Sequence, residues 1–208
     1  MKFNPIQINL RALKAVAMFA SSEAARYYLR GVHIEFSQSQ IIMVATNGHY
    51  MSVVKQELPD GDGPGAVPSV IVPLEMIEKI KLGKKDSDFA DFSVEENGHI
   101  RISHNGSVHM MAPVNGTFPD WRAILPKTLS GETAQYNASY LAIYHQAAAY
   151  LAAEKINQKL APRIQYNGLA AALVDWIPGG AKIAGFGVLV PFHPDPKALA
   201  EVPVWAKA

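Results

Sequence analysis

Seven histidines and nineteen lysines and arginines are the residues of this chain that could do chemistry, and there is no cysteine to join them. His99, His104 and His109 recur at five-residue spacing, a pattern that would suit a metal ion if the three imidazoles converged. Asn105-Gly106 signals a hairpin between the last two, and side chains that alternate along strands do not gather three such ligands. No metal site is expected. Zero cysteines remove disulfides, thiol nucleophiles and thiolate ligands, and the sequence holds no phosphate loop, no dinucleotide fingerprint and no paired nucleophile and base. Catalysis, a metal-dependent hydrolase included, has no foothold, so neither a catalytic residue nor a cofactor is assigned. Two features remain. One is the polar stretch Thr46-Asn47-Gly48-His49-Tyr50, whose glycine suits the positive φ of a tight turn. The other is a set of cations: Arg11 and Lys14, then Lys79, Lys81, Lys84 and Lys85, then Lys155, Lys159 and Arg163. Gathered on one face they would attract a polyanion; apart, each is a solvated surface charge.

The elements that must position these residues belong to a folded chain. With 208 residues, 49% of them hydrophobic and 18% charged, a sizeable core is available. The net charge of +1 gives no global pull toward nucleic acid or anionic lipid, so an anion site requires segregation of charge. The stretch MKFNPIQINLRALK lacks a secretory apolar core, and no apolar run is long enough to span a bilayer. No membrane partner and a cytoplasmic location are expected.

Alternation over Ile6 to Ile8 predicts a strand, and Asn9 stands at the N-cap of a helix whose Leu10, Leu13, Ala17 and Ala20 share a face. YYLRGVHIEF, QIIMVATN and YMSVVKQ then predict three strands. The order β-α-β-β-β restarts after the Gly- and Pro-rich ELPDGDGPGAVP: a short strand at SVIVP, a helix through Leu74, Ile77 and Ile80, and three strands with turns at Asn97-Gly98 and Asn105-Gly106. It restarts again at TAQYN, with an Ala-rich helix and strands turning at Asn167-Gly168 and Gly179-Gly180. Unit starts near Ile6, Ser69 and Ala134 lie roughly 65 residues apart. The expected fold class is therefore α+β, built from three βαβββ units. One unit is too small to close a core, so two should pack with their helices side by side. The third must then bury its face on that pair or on another chain, or stay marginal. HPDPKALAEVPVWAKA reads as an extended arm.

RYYLRGVHIEF, VATNGHYMSVVKQ, VIVP and GTFPDWRAILP resemble, in order, segments of the middle domain of the bacterial DNA polymerase III beta subunit, the sliding clamp. PRIQYNG through GVLVPFHP more weakly resembles the closing half of that family's last domain. The resemblance implies a DNA-clamp fold of one full domain (1–126), a half domain (127–193) and a carboxy-terminal tail (194–208). It implies a non-enzymatic processivity factor for DNA replication: a ring of six domains round duplex DNA, helices inside and sheets outside, engaged by a clamp loader. Polymerase or other proteins would insert a clamp-binding peptide into a cleft. Carried over by position, that cleft is Leu29, Thr46, Gly48, His49, Tyr50, Met51, Pro119 and Ile124, with Val190, Pro191 and Phe192 from the third unit. The helix cations named above, Arg11 to Arg163, would face DNA and attract phosphates without reading bases, while Glu57, Asp60, Asp62, Glu95 and Glu96 lie outside. The sequence departs from the family where Asn47-Gly48-His49-Tyr50 replaces Asp-Gly-His-Arg, where Ala123 replaces a second Arg, and where Val190 and Phe192 replace methionines. The cleft is thereby less cationic and stiffer. Twelve units made from chains of three imply a homotetramer with dihedral symmetry. The alternative is a decoy or adaptor that binds clamp-motif peptides without encircling DNA.

Overall fold

Asn9 decides where the first strand becomes a helix. In the computed structural model, which describes residues 3–59, 62–64, 67–83, 85–179, 183–193 and 205, strand β1 (Phe3–Asn9) passes directly into helix α1 (Leu10–Ala17). The Asn9 side chain accepts a hydrogen bond from the Ala12 amide at 2.8 Å, satisfying one of the donors left open at a helix start. Strands β2 (Gly31–Phe36), β3 (Gln40–Thr46) and β4 (Tyr50–Glu57) follow as an antiparallel meander. The second unit repeats the order with β5 (Val70–Pro73), α2 (Leu74–Lys79), β6 (Phe89–Val94), β7 (Ile100–His104) and β8 (Ser107–Met111). Its turns fall where the Asn-Gly pairs stand, with φ of +81° at Gly98, +47° at Asn105 and +77° at Gly106.

The two units exchange their first strands. β1 pairs with β6 and β5 pairs with β2, both antiparallel, so each sheet takes one strand from the other unit. Between the sheets lies α1, and its burial exceeds the expected single apolar face: every residue from Leu10 to Ala17 except Lys14 is buried. Small residues on its flanks, Ala12, Ala15 and Ala17, let neighbouring elements approach on all sides.

The third unit docks on the first pair, the first of the three outcomes open to it. Helix α3 (Ala138–Leu151) packs beside α1, and strands β9 (Arg163–Gln165), β10 (Ala172–Asp175) and β11 (Ala184–Leu189) extend the first sheet to seven strands in the order β5-β2-β3-β4-β11-β10-β9. The seam is the antiparallel pair β4–β11, from Lys55 opposite Ala184 to Tyr50 opposite Leu189. One core crosses residue 126: Tyr144, Ala147, Ala148, Val174, Trp176 and Leu189 share a cluster with Leu10, Leu13 and Phe19. The strand expected at the start of this unit is reduced to one bridge, Gln135 to Phe192, because among the described residues no second strand runs beside it. Asp60, Lys84, Gly180 and the expected tail, apart from an exposed Trp205, lie outside the described residues.

Candidate functional site

The turn that joins β3 to β4 is held by its own side chains. Thr46 Oγ1 donates to the Tyr50 carbonyl at 2.8 Å and accepts from the Gly48 amide at 3.0 Å. Asn47 Oδ1 accepts from the amides of His49 at 3.0 Å and Tyr50 at 3.2 Å. Gly48 has φ of +92°, and a Cβ there would stand 2.7 Å from the Arg26 guanidinium, which donates to the Asn47 carbonyl at 3.0 Å. Threonine, asparagine and glycine are thus each required by a bond or a dihedral.

Strand alternation then divides the expected cleft residues between two faces. Met51 turns to the outer face of the seven-stranded sheet, where it is buried with Leu29, Val44, Val53, Phe118, Trp121 and Val188. Tyr50 turns the other way: its ring meets Tyr140 of α3 at 4.9 Å and Phe19 edge-on at 5.8 Å. The His49 ring stacks on Tyr140 at 5.6 Å. The expectation of a single wall from Gly48 to Met51 is corrected accordingly, and the period-two rule could have found this in the sequence.

The floor of the outer face is covered by the connector after β8. A 3₁₀ turn, Trp121–Ile124, lies there with Trp121 and Phe118 buried, while Pro119 and Ile124 are exposed. Glu35 of β2 holds this turn. Arg122 donates to both of its carboxylate oxygens, at 2.8 and 2.6 Å, and Trp121 Nε1 donates to one of them at 2.9 Å. The Arg122 guanidinium also lies over the Trp121 ring, 4.0 Å from its centre. These bonds, Arg122 above all and then Trp121, hold the Glu35 carboxyl at about 2 against the desolvation that opposes them. At the third unit, the Val190 amide donates to the His49 carbonyl at 3.0 Å, Thr46 and Pro191 are buried, and Val190 and Phe192 are exposed. Glu35, Phe118, Trp121 and Val188 were missed by sequence reasoning. The FPDW segment and the apolar alternation of β11 were the available signals.

The cations separate into two kinds. Arg11, expected to face solvent, is only 8% exposed: its Nε bonds Asp88 at 2.8 Å and its guanidinium lies over Tyr150. Lys14 Nζ donates to the carbonyls of Ile77 and Ile80, each at 2.7 Å, which caps the end of α2; burial lowers its pKa. Both are engaged inside the fold because α1 has neighbours on every side. Lys79 pairs with Glu75 at 2.6 Å and Arg163 with Asp175 at 2.7 Å, both at the surface. α2 stops at Lys79 and α3 at Leu151, so Lys81, Lys85, Lys155 and Lys159 stand beyond the helix ends and not on them. Those four are exposed and hold no ion pair among the described residues. A cavity of about 240 Å³ lined by Arg11, Leu82, Gly83, Tyr150 and Lys155 shows that the loops after α2 and α3 meet over α1. Among the described residues no three His, Asp or Glu side chains gather as metal ligands, and no helix is long and apolar enough to cross a membrane.

Comparison with known proteins agrees with this architecture. The model of the family described as DNA polymerase III beta subunit, central domain, matches residues 7–120. A beta sliding clamp of Vibrio cholerae is 30% identical over 151 residues, covering 72% of this chain and 40% of that protein. One from Caulobacter vibrioides is 27% identical over 123 residues, covering 57% of this chain and 32% of that protein. The matched stretch thus spans about a third to two fifths of these relatives' length. A solved Caulobacter crescentus beta sliding clamp superposes with a TM-score of 0.67 at 17% identity, over 93% of this chain and 66% of that one; it speaks for the fold.

Proposed function

The chain belongs to the DNA polymerase III beta subunit family, and on that premise we propose that it is a compact sliding clamp, copies of which close round duplex DNA and tether a polymerase or another replication protein. The observation that carries this reading is the third unit. In the first pair, β2 is joined by β5 and β1 by β6, whereas among the described residues the outer edge of β9 and the far side of Gln135 have no partner strand. Two third units facing each other across a two-fold axis would fill both gaps and complete a domain, which gives four chains in a cytoplasmic ring of twelve units. α3 is compatible with this, since Leu141, Ile143 and Leu151 pack against the core yet keep part of their surface exposed.

A tether that slides must hold DNA weakly and without reading sequence. Lys81, Lys85, Lys155 and Lys159 would supply that attraction through phosphate contacts and counterion release, and a clamp loader would open the ring. Partner peptides would lie over the outer apolar cluster, with Leu29, Met51, Pro119 and Ile124 on one side and Val190, Pro191 and Phe192 on the other. No step of this is catalytic. The test is retention on circular duplex DNA. The intact chain should stay on a closed circle and run off after linearisation, and Lys81→Glu with Lys155→Glu should shorten retention several-fold and flatten its salt dependence. Equal retention on circle and linear DNA would reject encirclement.

The bonding of Arg11 to Asp88 and of Lys14 to the carbonyls of Ile77 and Ile80 favours a second reading, in which the chain binds clamp-motif peptides as an adaptor and never surrounds DNA, because two of the expected DNA-facing cations are engaged within the fold. Peptide binding with no topological retention would select it.

A further inference from the structure

Arg11 is a buried cation with donors to spare. Its side chain is 9% exposed, and among the described residues only two of the N–H groups of its guanidinium are used: Nε–H on Asp88 at 2.8 Å and one Nη1–H on the Tyr150 carbonyl at 3.5 Å. The second bond is long, and the same carbonyl also accepts from the Ala153 amide at 3.1 Å. A guanidinium withdrawn from bulk water ordinarily fills its remaining donors, whereas Arg11 lines the cavity of about 240 Å³ between the loops that follow α2 and α3. We propose that this cavity binds a small organic carboxylate, held by Arg11 and Lys155, and that the occupant ties the third unit to the first pair. Such a site neither requires a ring round DNA nor touches the outer face where partner peptides would lie.

The walls come from both sides of residue 126. Arg11, Leu82 and Gly83 belong to the first pair; Tyr150, Ala153 and Lys155 belong to the third unit. α3 ends beside the cavity in a turn that glycine ordinarily makes. Ala153 has φ of +55°, and the amides of Ala153 and Glu154 return to the carbonyls of Tyr150 and Ala149 at 3.1 and 3.0 Å. A Cβ makes that left-handed conformation costly, and the turn brings Lys155 to the cavity. The chemistry of the occupant follows from charge and shape. Arg11 and Lys155 are offset by Asp88, bonded to Arg11, and by Glu154, whose carboxylate accepts from Asn157 Nδ2 at 3.1 Å. Those four charges cancel, which disfavours a dianion such as a phosphate ester and suits a monoanion placed by hydrogen bonds. A carboxylate matches the planar fork of a guanidinium. Leu82, Ala149 and Tyr150 offer apolar surface to its body. Since a cavity of about 150 Å³ takes benzene, this one has room for a ring with its carboxylate.

Benzoate is the probe, and the intact chain is observed by amide-detected NMR. Benzoate should bind saturably, with a Kd of roughly millimolar order, and move the resonances of Gly83, Tyr150 and Ala153 together. It should also raise the unfolding temperature, since only the docked third unit completes the site. Lys155→Glu, at an exposed position, should weaken binding by about tenfold, and Leu82→Trp, which fills the cavity, should abolish it. Acetate, which keeps the carboxylate and lacks the body, should bind less tightly than benzoate, and so should inorganic phosphate and phenol. Absence of saturable shifts at those three residues overturns the site, as does equal affinity in the parent and both variants. Phosphate binding more tightly than benzoate, or phenol binding as well as it, overturns the assignment of a carboxylate.

Discussion

Tyr144 has one hydroxyl proton and two carbonyls in reach, Met51 at 2.9 Å and Val188 at 2.8 Å, which face each other across the β4–β11 seam. Its ring is fully buried, burial pushes its phenol far above the usual range, and Gly187 leaves the space it occupies. Tyr144→Phe should therefore cost about 1–2 kcal/mol, since one carbonyl loses its shared donor in the core. Gly187→Ala should cost more, because its Cβ would stand 2.1 Å from a ring carbon that has nowhere to move. Urea unfolding of the two variants gives the order, and an alanine that is tolerated at position 187 would mean that α3 docks less tightly than this geometry requires.

At the scale of elements, the Trp121–Ile124 turn depends on Glu35, and that dependence has a pH signature. The folded carboxyl titrates at about 2, below its ordinary 4.5, so its stabilisation is complete above pH 4.5 and is lost as pH falls from there toward 2. Because the Arg122 side chain is about half exposed, solvent screening reduces the effect to roughly 1 kcal/mol. Glu35→Gln should be less stable than the parent at pH 7 by about that amount, with the gap closing at pH 2; a gap independent of pH would show that the carboxylate charge is not what holds the turn. The two faces of β4 predict a further separation. Tyr50→Ala should lower stability by about 2–3 kcal/mol, through its contacts with Tyr140 and Phe19, and leave the outer face intact. Ile124→Ala should leave stability nearly unchanged and weaken binding of a clamp-motif peptide, read by fluorescence anisotropy. If Tyr50→Ala weakens the peptide more than Ile124→Ala does, the binding surface is on the α3 side.

For the whole molecule, the units carry two kinds of unfinished contact, a first-strand exchange and a last-strand edge. Inside the chain each is satisfied once, by β1–β6 with β5–β2 and by β4–β11. Each is left open once among the described residues, at β9 with Gln135 and at β8. Retention on circular DNA and peptide affinity therefore test separate parts of the proposed function.

The sequence by itself determined the units and their turns. Asn9, Asn97-Gly98, Asn105-Gly106 and Asn167-Gly168 act through caps and positive φ, which are local, and the apolar alternation between them sets the strands. The Thr46 to Tyr50 turn was equally legible, as its bonds stay within five residues. Which unit would lend a strand to which, that α1 would be enclosed, and that Arg11 and Lys14 would be withdrawn from solvent were decided only by tertiary structure. Those outcomes depend on partners far along the chain, Asp88 for Arg11, Ile77 and Ile80 for Lys14, and Val188 beside Met51. A lysine or arginine looks the same in sequence whether it meets water or a carbonyl, and only packing brings the carbonyl.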